Sequence, residues 1–570
     1  MTETTKFDLR YLVVGFFLVF SFIAIFSMSI TKIAPSADLT YYSSVVYNLF
    51  YYVPATLWIG ILGLCGLFVY LFTSPRHFSP AFSNAIMFLI AMLILLVFFG
   101  LPYAVEPNPR FVDSWGHGET AKGILDSGFL NPQIDRLYLT YPLSFTAISL
   151  FSIITNIGLT VLLRFLPLAF VLVFFASLTA FFEKFLEFRL SIVAVFIFAF
   201  STFYLAFHFS PEIFGWIFFL LLLAFIAKGI SQVRNSKEFL TKSDSVIVLT
   251  LIVAIALSHP VTQFTVLILM LVWLIVGSVL FKYHYVSLNL VLFAAIVFAA
   301  WSLYFGYVYF QVVVEGFQTA FQRIFSSFSS SMAARALTES SPAEIAVLVW
   351  YRRLLYVFTP LTGLFGGILC YRRNKHGFIF LICFLVTSLI LVPLTVFGTL
   401  PIERSLKLAF LPLSIFSALF IGHKKKLGIV LLVLILATIP VNFAAFYSGE
   451  AQTMTHDWEV NSAKFVSESF HGVLLGEFKT TTIMNYYGNY SRIVDDYSLY
   501  GTRPNIFNIT FIEIEHAETV YVTQLTIERA TGLGIDIDMN SFINSTEFSC
   551  VHSNGYSSLY FRKDPSLPPL

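Results

Sequence analysis

A chain of 570 residues is long enough for three or four soluble domains of roughly 150 residues each. Only 12% of its residues are charged, 58% are hydrophobic, and the mean hydropathy is +0.82. Because soluble domains carry about 25% charged residues, this composition excludes a string of soluble domains and predicts a polytopic membrane protein.

The charges divide the chain into two parts. Residues 1–450 hold 27 Lys and Arg against 18 Asp and Glu, whereas residues 451–570 hold 7 against 14. This split predicts a transmembrane domain over 1–450 and an acidic, water-soluble domain over 451–570. The basic residues are scattered, which argues against a nucleic-acid partner. The four Cys residues have no short metal-type spacing, which argues against a disulfide framework or a zinc site.

Apolar runs of bilayer-spanning character predict thirteen transmembrane helices. They lie at 11–30, 52–72, 82–101, 160–182, 190–207, 211–230, 245–258, 261–281, 286–310, 354–371, 377–397, 405–421 and 427–446. The apolar stretch 141–158 either crosses the membrane or lies along its interface. Only the second choice puts the basic clusters at 372–375 and 424–426 in the cytoplasm, where Lys and Arg concentrate. We therefore predict a cytoplasmic N-terminus and an extracytoplasmic C-terminal domain.

The C-terminal part has two further features. All three N-x-S/T sequons, at Asn489, Asn508 and Asn544, lie after residue 450, which agrees with an external location. A helix-like segment at 458–470 precedes strand-like runs at 519–522 and 558–562. We expect a small α/β domain that covers the external face of the membrane domain.

The unusual polar residues gather on the predicted outer face. They occur in the long external loops 102–143 and 311–345 and in the short turns 208–212, 258–260 and 401–404. The inner loops are short and basic, so we expect any chemistry on the outer face. The chain has no G-x-x-x-x-G-K-[ST] sequence, which argues against ATP-driven work.

The segment Phe111–Ile124 (FVDSWGHGETAKGI), followed by Tyr141-Pro142-Leu143, resembles the first external loop of the GT-C superfamily of membrane glycosyltransferases. The turns Ser-Pro-Glu at 210–212, Ser-His-Pro at 258–260 and Glu403-Arg404 are similar to features of that family, as is a soluble domain after the last span. The resemblance implies a polytopic α-helical, GT-C-like fold with about 13 transmembrane helices in the cell membrane.

The same resemblance implies a function. A sugar would move from a polyprenyl (dolichyl or undecaprenyl) phosphate donor to a lipid-, glycan- or protein-linked acceptor on the outer face, with inversion. The oligosaccharyltransferases of the superfamily carry a Trp-Trp-Asp signature, where this chain has only His456-Asp457-Trp458. Oligosaccharide transfer therefore stays an alternative, as does a lipid or solute transporter, although charge is sparse at mid-depth in the spans.

The resemblance also implies the catalytic residues. Asp113 is the candidate general base, because direct displacement at a sugar carbon needs a carboxylate beside the acceptor hydroxyl. Its competing interpretation is the N-cap of a helix. Glu119 and Glu212 are further catalytic candidates. Asp113, His117 and Glu119 together could bind a divalent cation, Mg or Mn, since these ions accept carboxylate and imidazole ligands.

Three residues are candidates for binding the donor phosphate. Arg404 stands at an outer helix end, where a guanidinium can pair with phosphate, although an interfacial anchor is the alternative. Arg164 and His259 occupy similar positions, and a histidine at a helix end often only hydrogen-bonds the backbone. Glu106, between prolines, is expected to be a solvated loop residue.

Overall fold

The structure is a computed structural model. Apart from isolated positions, it describes residues 53–73, 78–130, 138–201, 207–232, 241–283, 285–307, 343–396, 402–447, 457–469, 473–476, 478–487, 492–495, 519–523, 548–553 and 557–562. The first predicted span, most of the loop 311–345 and the three sequons lie outside the described residues.

Helices form almost all of the membrane part of the chain. They are α1 (Ala55–Thr73), α2 (Pro80–Val105), α3 (Val112–Ser127), α4 (Leu143–Thr155), α5 (Leu159–Phe182), α6 (Phe188–Ser201), α7 (Pro211–Gln232), α8 (Lys242–Ser258), α9 (Pro260–Val272, continued by a π-helix at Trp273–Leu280), α10 (Leu288–Tyr304), α11 (Ala343–Arg373), α12 (Lys375–Val396), α13 (Ile402–His423), α14 (Lys425–Ala437) and α15 (Ile439–Phe446). Each predicted span from 52–72 onward overlaps one of these helices.

The number of predicted spans is tested only in part. Among the described residues, seven helices are long and apolar enough to cross a membrane, or eight if α14 and α15 form one bent span. This finding makes the chain a multi-pass membrane protein but does not confirm thirteen helices. The predicted span 427–446 is broken, with a bend of 43° between α14 and α15. Pro440 lies at the start of α15 and lacks the N–H that would continue the preceding helix.

The short helix α4 occupies the ambiguous stretch 141–158. Its 13 residues are fewer than the about 20 that a spanning helix needs, in agreement with a segment that stays at one face. Ile153 and Ile154 at its end are 65% and 80% exposed. Apolar exposure of this kind fits contact with lipid.

Phenylalanine rings fill the spaces between the helices. Phe98 of α2 packs edge-on against Phe200, Phe443 and Phe446, with centroid distances of 5.0–5.7 Å. Glycines allow closer approach between α11 and α13, where a Cβ on Gly366 would lie 1.6 Å from the Phe416 carbonyl oxygen. Gly363 likewise faces Leu413, so the two helices run parallel and both end at the same face of the membrane.

The segment between α2 and α3 is held by buried polar contacts. Glu106 and Arg110 form a fully buried ion pair, and the Arg110 guanidinium lies 5.2 Å from the centre of the Tyr447 ring. Asn108 Nδ2 donates to the Thr455 carbonyl oxygen at 3.3 Å. The expectation of a solvated Glu106 was therefore wrong, because the chain leaving α15 folds over this segment and excludes water from it.

Helix α3 depends on packing more than on helix propensity. It contains three glycines, each of which weakens an isolated helix by about 1 kcal/mol relative to alanine. The Trp115 Nε1–H is shared between the Pro109 carbonyl oxygen at 3.1 Å and the Thr455 hydroxyl at 3.2 Å. The helix ends at Gly128, whose φ of 74° is the left-handed conformation that favours glycine.

After the membrane helices the described chain contains both helices and strands. The helices are α16 (Asp457–Ser469) and α17 (Phe478–Tyr487). The strands are β1 (Val473–Gly476), β2 (Arg492–Asp495), β3 (Thr519–Thr523), β4 (Phe548–Ser553) and β5 (Ser557–Arg562). They form one sheet of order β2-β1-β3-β5-β4, in which β1 pairs in parallel with β2 and β3, and β5 pairs antiparallel with β3 and β4.

Helix α17 packs directly on α3. The Lys122 Nζ donates to the Tyr486 carbonyl oxygen at 2.9 Å, and the Tyr486 hydroxyl lies 2.9 Å from the Thr160 hydroxyl of α5. A Cβ on Gly118 would lie 2.5 Å from a Leu163 methyl carbon and 3.1 Å from the Tyr486 ring. Gly118 is therefore required for the close approach of α3, α5 and α17.

Two glycines of α3 give a matched pair of substitutions. Gly118→Ala should lower the unfolding temperature and shift α3, because overpacking of this kind costs about 1–3 kcal/mol. Gly116→Ala should be neutral or stabilising, since its Cβ would meet only Thr482 Cγ2 at 3.4 Å. Thermal unfolding of the two purified variants compares them directly. Equal unfolding temperatures would contradict this account of the packing.

Candidate active site

Asp113 lies in the first turn of α3 and faces the start of α7. The N-cap of the helix is Phe111, which has no side-chain capping bond, so Asp113 is a first-turn residue and not the cap. Its side chain is 59% exposed, and its Oδ2 lies 3.7 Å from His208 Nε2. An accessible carboxylate beside an imidazole is a competent proton acceptor.

Two histidines lie behind this carboxylate. His117 follows Asp113 by one helical turn, on the same face of α3. Its ring is buried against Phe145 and Phe209, while the His208 ring packs against Phe111 at 4.9 Å. The Nδ1 atom of His208 is buried and has no hydrogen-bond partner among the described residues.

Glu212 and Lys407 complete the cluster. The Lys407 Nζ lies 3.3 Å from Glu212 Oε1, and the same oxygen accepts a hydrogen bond from Trp216 Nε1 at 3.3 Å. Both side chains are largely buried, at 12% exposed for Lys407 and 24% for Glu212. His208 is close enough to Glu212 and Lys407 for the charges of both to shift its pKa. The candidate site therefore joins the start of α3, the turn before α7 and the first turns of α13.

Lys407 was missed by the sequence reasoning. It lies within the predicted span 405–421 and has no neighbouring polar residue that would mark it. The available signal was its spacing, because Arg404 and Lys407 are three residues apart and share one face of a helix. The side chain of Arg404 lies outside the described residues, but the backbone of α13 puts the residue one turn from Lys407.

Arg164 and His259 have local structural partners. Arg164 donates to the carbonyl oxygens of Tyr103 and Ala104, each at 3.3 Å, and so satisfies the last turn of α2. His259 is the N-cap of α9, with its Nδ1 2.9 Å from the Thr262 hydroxyl. The geometry therefore gives both residues capping contacts at helix ends.

Burial keeps both histidines of the cluster neutral. It lowers the pKa of His117 to about 4, although the Asp113 carboxylate opposes this shift. Burial also lowers the pKa of His208, against the raising effect of Asp113 and Glu212, and Lys407 adds to the lowering. At neutral pH each ring therefore has one donor and one acceptor nitrogen.

The lowered pKa of His117 predicts an acid-sensitive fold. Between about pH 6.5 and 4 the unfolded chain would bind a proton that the folded chain excludes, so stability falls as pH falls through that window, by up to about 3 kcal/mol. His117→Gln should reduce this loss, measured as the change in unfolding temperature between pH 7 and pH 4. His423→Gln removes a histidine at an exposed helix end and is the matched control. Equal slopes in all three proteins would contradict the prediction.

The predicted metal ligands do not converge. Glu119 follows His117 by two residues, which puts it on nearly the opposite side of the helix. Among the residues that the structure describes, no three His, Cys, Asp or Glu side chains are close enough to share a metal ion. Asp113, His117 and Glu119 therefore do not come together as one three-ligand metal site among the described side chains.

The fold and this site define a class of protein, which is a multi-pass membrane protein. Its candidate site is a cluster of carboxylate, histidine and lysine side chains, and the cluster lies where the loop helix α3 meets the ends of the membrane helices. No protein-family model matches the sequence, and no curated protein sequence matches it either.

The fold is similar to solved structures of the oligosaccharyltransferase from Archaeoglobus fulgidus. The apo form has a TM-score of 0.51 at 11% identity, over 85% of this chain and 75% of that one. The form tethered to an acceptor peptide containing the NVT sequon has a TM-score of 0.50 at 12% identity, over 85% and 74%. ArnT from Cupriavidus metallidurans bound to undecaprenyl phosphate has a TM-score of 0.46 at 10% identity, over 84% and 97%. The likeness to the first two shows that this chain shares the fold of that enzyme.

Proposed function

We propose that this chain is a glycosyltransferase that transfers a sugar from a polyprenyl phosphate donor to an acceptor hydroxyl or amide. The observation that carries the proposal is the pairing of an exposed Asp113 carboxylate with His208, beside the buried Glu212–Lys407 ion pair. A base and a cation in one site are what displacement of a phosphate leaving group requires.

The reaction balances with these groups alone. The acceptor oxygen or nitrogen attacks the anomeric carbon of the sugar, and its proton passes to the Asp113 carboxylate. The bond between that carbon and the phosphate oxygen breaks, and the electron pair leaves with the phosphate. Lys407 and Arg404, which share a face of α13, stabilise the charge that develops on the phosphate. Attack opposite to the leaving group inverts the configuration at the anomeric carbon.

His208 has a positioning role in this scheme. Its Nε2 lies 3.7 Å from Asp113 Oδ2, close enough for a small movement to give a hydrogen bond that orients the carboxylate. Because burial lowers the pKa of His208, the imidazole does not carry a competing positive charge at neutral pH.

A donor panel tests the proposed function. Purified full-length protein is incubated with polyprenyl monophosphate sugars and, separately, with a polyprenyl diphosphate oligosaccharide. Mass spectrometry then measures the release of the lipid phosphate. Consumption of a monophosphate sugar supports the proposal, whereas consumption of only the diphosphate substrate would favour oligosaccharide transfer. Binding without consumption of any donor by the active-site-intact protein would contradict an enzymatic role.

We also propose that residues 451–570 form an extracytoplasmic α/β domain that covers the site. The support is the packing of α17 on α3 through Lys122 and Tyr486, on the helix that carries Asp113. In intact cells a cysteine at Ser448 should react with an impermeant thiol reagent, and one at Gly422 should not. The reverse pattern would place the site in the cytoplasm and contradict this orientation.

A further inference from the structure

A cavity of about 530 Å³ lies at the end of the helix bundle opposite to the candidate active site. It is enclosed by the end of α1, the starts of α2 and α6, and the turn between α13 and α14. Helix α2 begins at this cavity with Pro80 and ends at Val105, near Asp113. Its 26 residues rise about 39 Å at about 1.5 Å per residue, so the two sites lie at opposite faces of the membrane.

Arg189 supplies the cation of this cavity. Its Nε donates to Asn84 Oδ1 at 3.2 Å, and one terminal nitrogen donates to the Leu71 carbonyl oxygen at 3.5 Å. These bonds hold the guanidinium against the wall. Its other terminal nitrogen makes no hydrogen bond to any residue that the structure describes. A guanidinium held in this way presents N–H groups to an anion from a fixed direction.

The surroundings of Arg189 carry more positive than negative charge. Lys184, Lys424 and Lys426 are exposed in the turns that border the cavity, and Glu183 and Glu187 are the acidic residues of the same turns. Arg189 and Glu187 are the charged residues that line the cavity itself, so the excess of positive charge comes from the lysines of the bordering turns. An anionic group gains from the combined field, most strongly where Arg189 is partly desolvated.

Apart from Thr73, Asn84 and Glu187, the rest of the wall is apolar, which distinguishes this cavity from a site for a small free anion. Phe72, Phe188 and Ile429 line it. Leu427 and Val430 lie on α14, on either side of Ile429 in the sequence, and they are 49% and 54% exposed. The cavity is thus continuous with a surface that suits acyl chains, so its polar and apolar halves match an amphiphile.

We propose that this cavity binds the phosphate headgroup of an anionic phospholipid, with Arg189 on the phosphate and the acyl chains along α14. The inference does not rest on the proposed function. The basic turns around the cavity identify this face as cytoplasmic, where anionic lipids attract clustered Lys and Arg. A lipid there would tie α1, α2, α6 and α13 together at one end of the bundle.

The test compares two phospholipids that differ in headgroup charge. Full-length protein in mixed micelles is titrated with dioleoylphosphatidylglycerol or dioleoylphosphatidylcholine, and both bound lipid and unfolding temperature are measured. The key variant is Arg189→Gln. Arg372→Gln is the matched control, because Arg372 is exposed at the end of α11 at the same face and does not line the cavity. Thr73→Trp, at an exposed position on the rim, blocks the cavity while keeping Arg189.

We expect phosphatidylglycerol, and not phosphatidylcholine, to raise the unfolding temperature of the wild type. Arg189→Gln should weaken phosphatidylglycerol binding by about tenfold or more, as expected for loss of a charged hydrogen bond. Thr73→Trp should weaken it as well, and it keeps the test valid if Arg189→Gln does not fold. Arg372→Gln should bind like the wild type.

Three results would overturn the proposal. One is equal weakening by Arg189→Gln and Arg372→Gln, which would mean general surface attraction. Another is unchanged binding in both Arg189→Gln and Thr73→Trp. The third is full stabilisation of the wild type by inorganic phosphate alone at the same concentration, which would make the cavity a free-anion site.

Discussion

Asp113→Asn is expected to lower the rate of sugar transfer by about 10²–10⁴ while the protein stays folded. The substitution keeps the shape of the side chain and removes its negative charge and its basicity. Because Asp113 is a first-turn residue and not the N-cap, the fold loses only its favourable interaction with the helix dipole, about 0.3–1 kcal/mol at an exposed position. Donor binding should survive, since the proposed function assigns the lipid phosphate to Lys407 and Arg404 on α13.

The control for this prediction lies on the same helix. Asp126 is exposed in the last turn of α3, where a carboxylate interacts unfavourably with the helix dipole. Asp126→Asn therefore makes the same chemical change without removing the base, and should transfer sugar at the parental rate. Single-turnover rates with saturating donor compare the two variants. Parental turnover by folded Asp113→Asn would dismiss Asp113 as the base and leave Glu212 as the nearest carboxylate in the site.

The sequence located most of the membrane helices because their apolar length is a strong and local signal. It also located the helix of the first external loop, although three glycines make α3 a weak helix by itself. The number of spans was less predictable, since the length of an apolar run does not reveal a break such as the one between α14 and α15. Packing on α5 and α17, which are distant in sequence, is what holds α3 straight and decides that Glu119 turns away from Asp113.

The candidate site was predicted only in part, because residues that are distant in sequence form it. Asp113 and Glu212 were identified from their loops, but the contact between Asp113 and His208 joins residues 95 positions apart. Lys407 lies inside an apolar span. Only its contact with Glu212 in the folded chain identifies it as a residue of the candidate site. Glu106 lies between prolines, in a sequence typical of a loop. Its burial depends on Arg110 and on the chain that leaves α15.

Lys407→Met is expected to impair use of the lipid phosphate donor. Losing one preorganised donor of positive charge in the transition state costs about 3–4 kcal/mol, or a factor of about 10²–10³ in turnover. The methionine has a similar length and no charge, so the packing of α13 is little changed. Arg404→Ala should act in the same direction, and Arg404→Lys should also weaken donor use because it loses the two-pronged guanidinium geometry.

A structural role for Lys407 must be separated from this one, because its removal leaves Glu212 partly buried without its cation. The double variant Glu212→Gln with Lys407→Met replaces the ion pair by two uncharged side chains of similar size, which removes the unpaired charge. If Lys407 only neutralises Glu212, the double variant should recover both unfolding temperature and donor affinity. If Lys407 holds the lipid phosphate, the unfolding temperature should recover while donor affinity and turnover stay low. Recovery of all three quantities would assign Lys407 to the fold and leave the donor phosphate to Arg404.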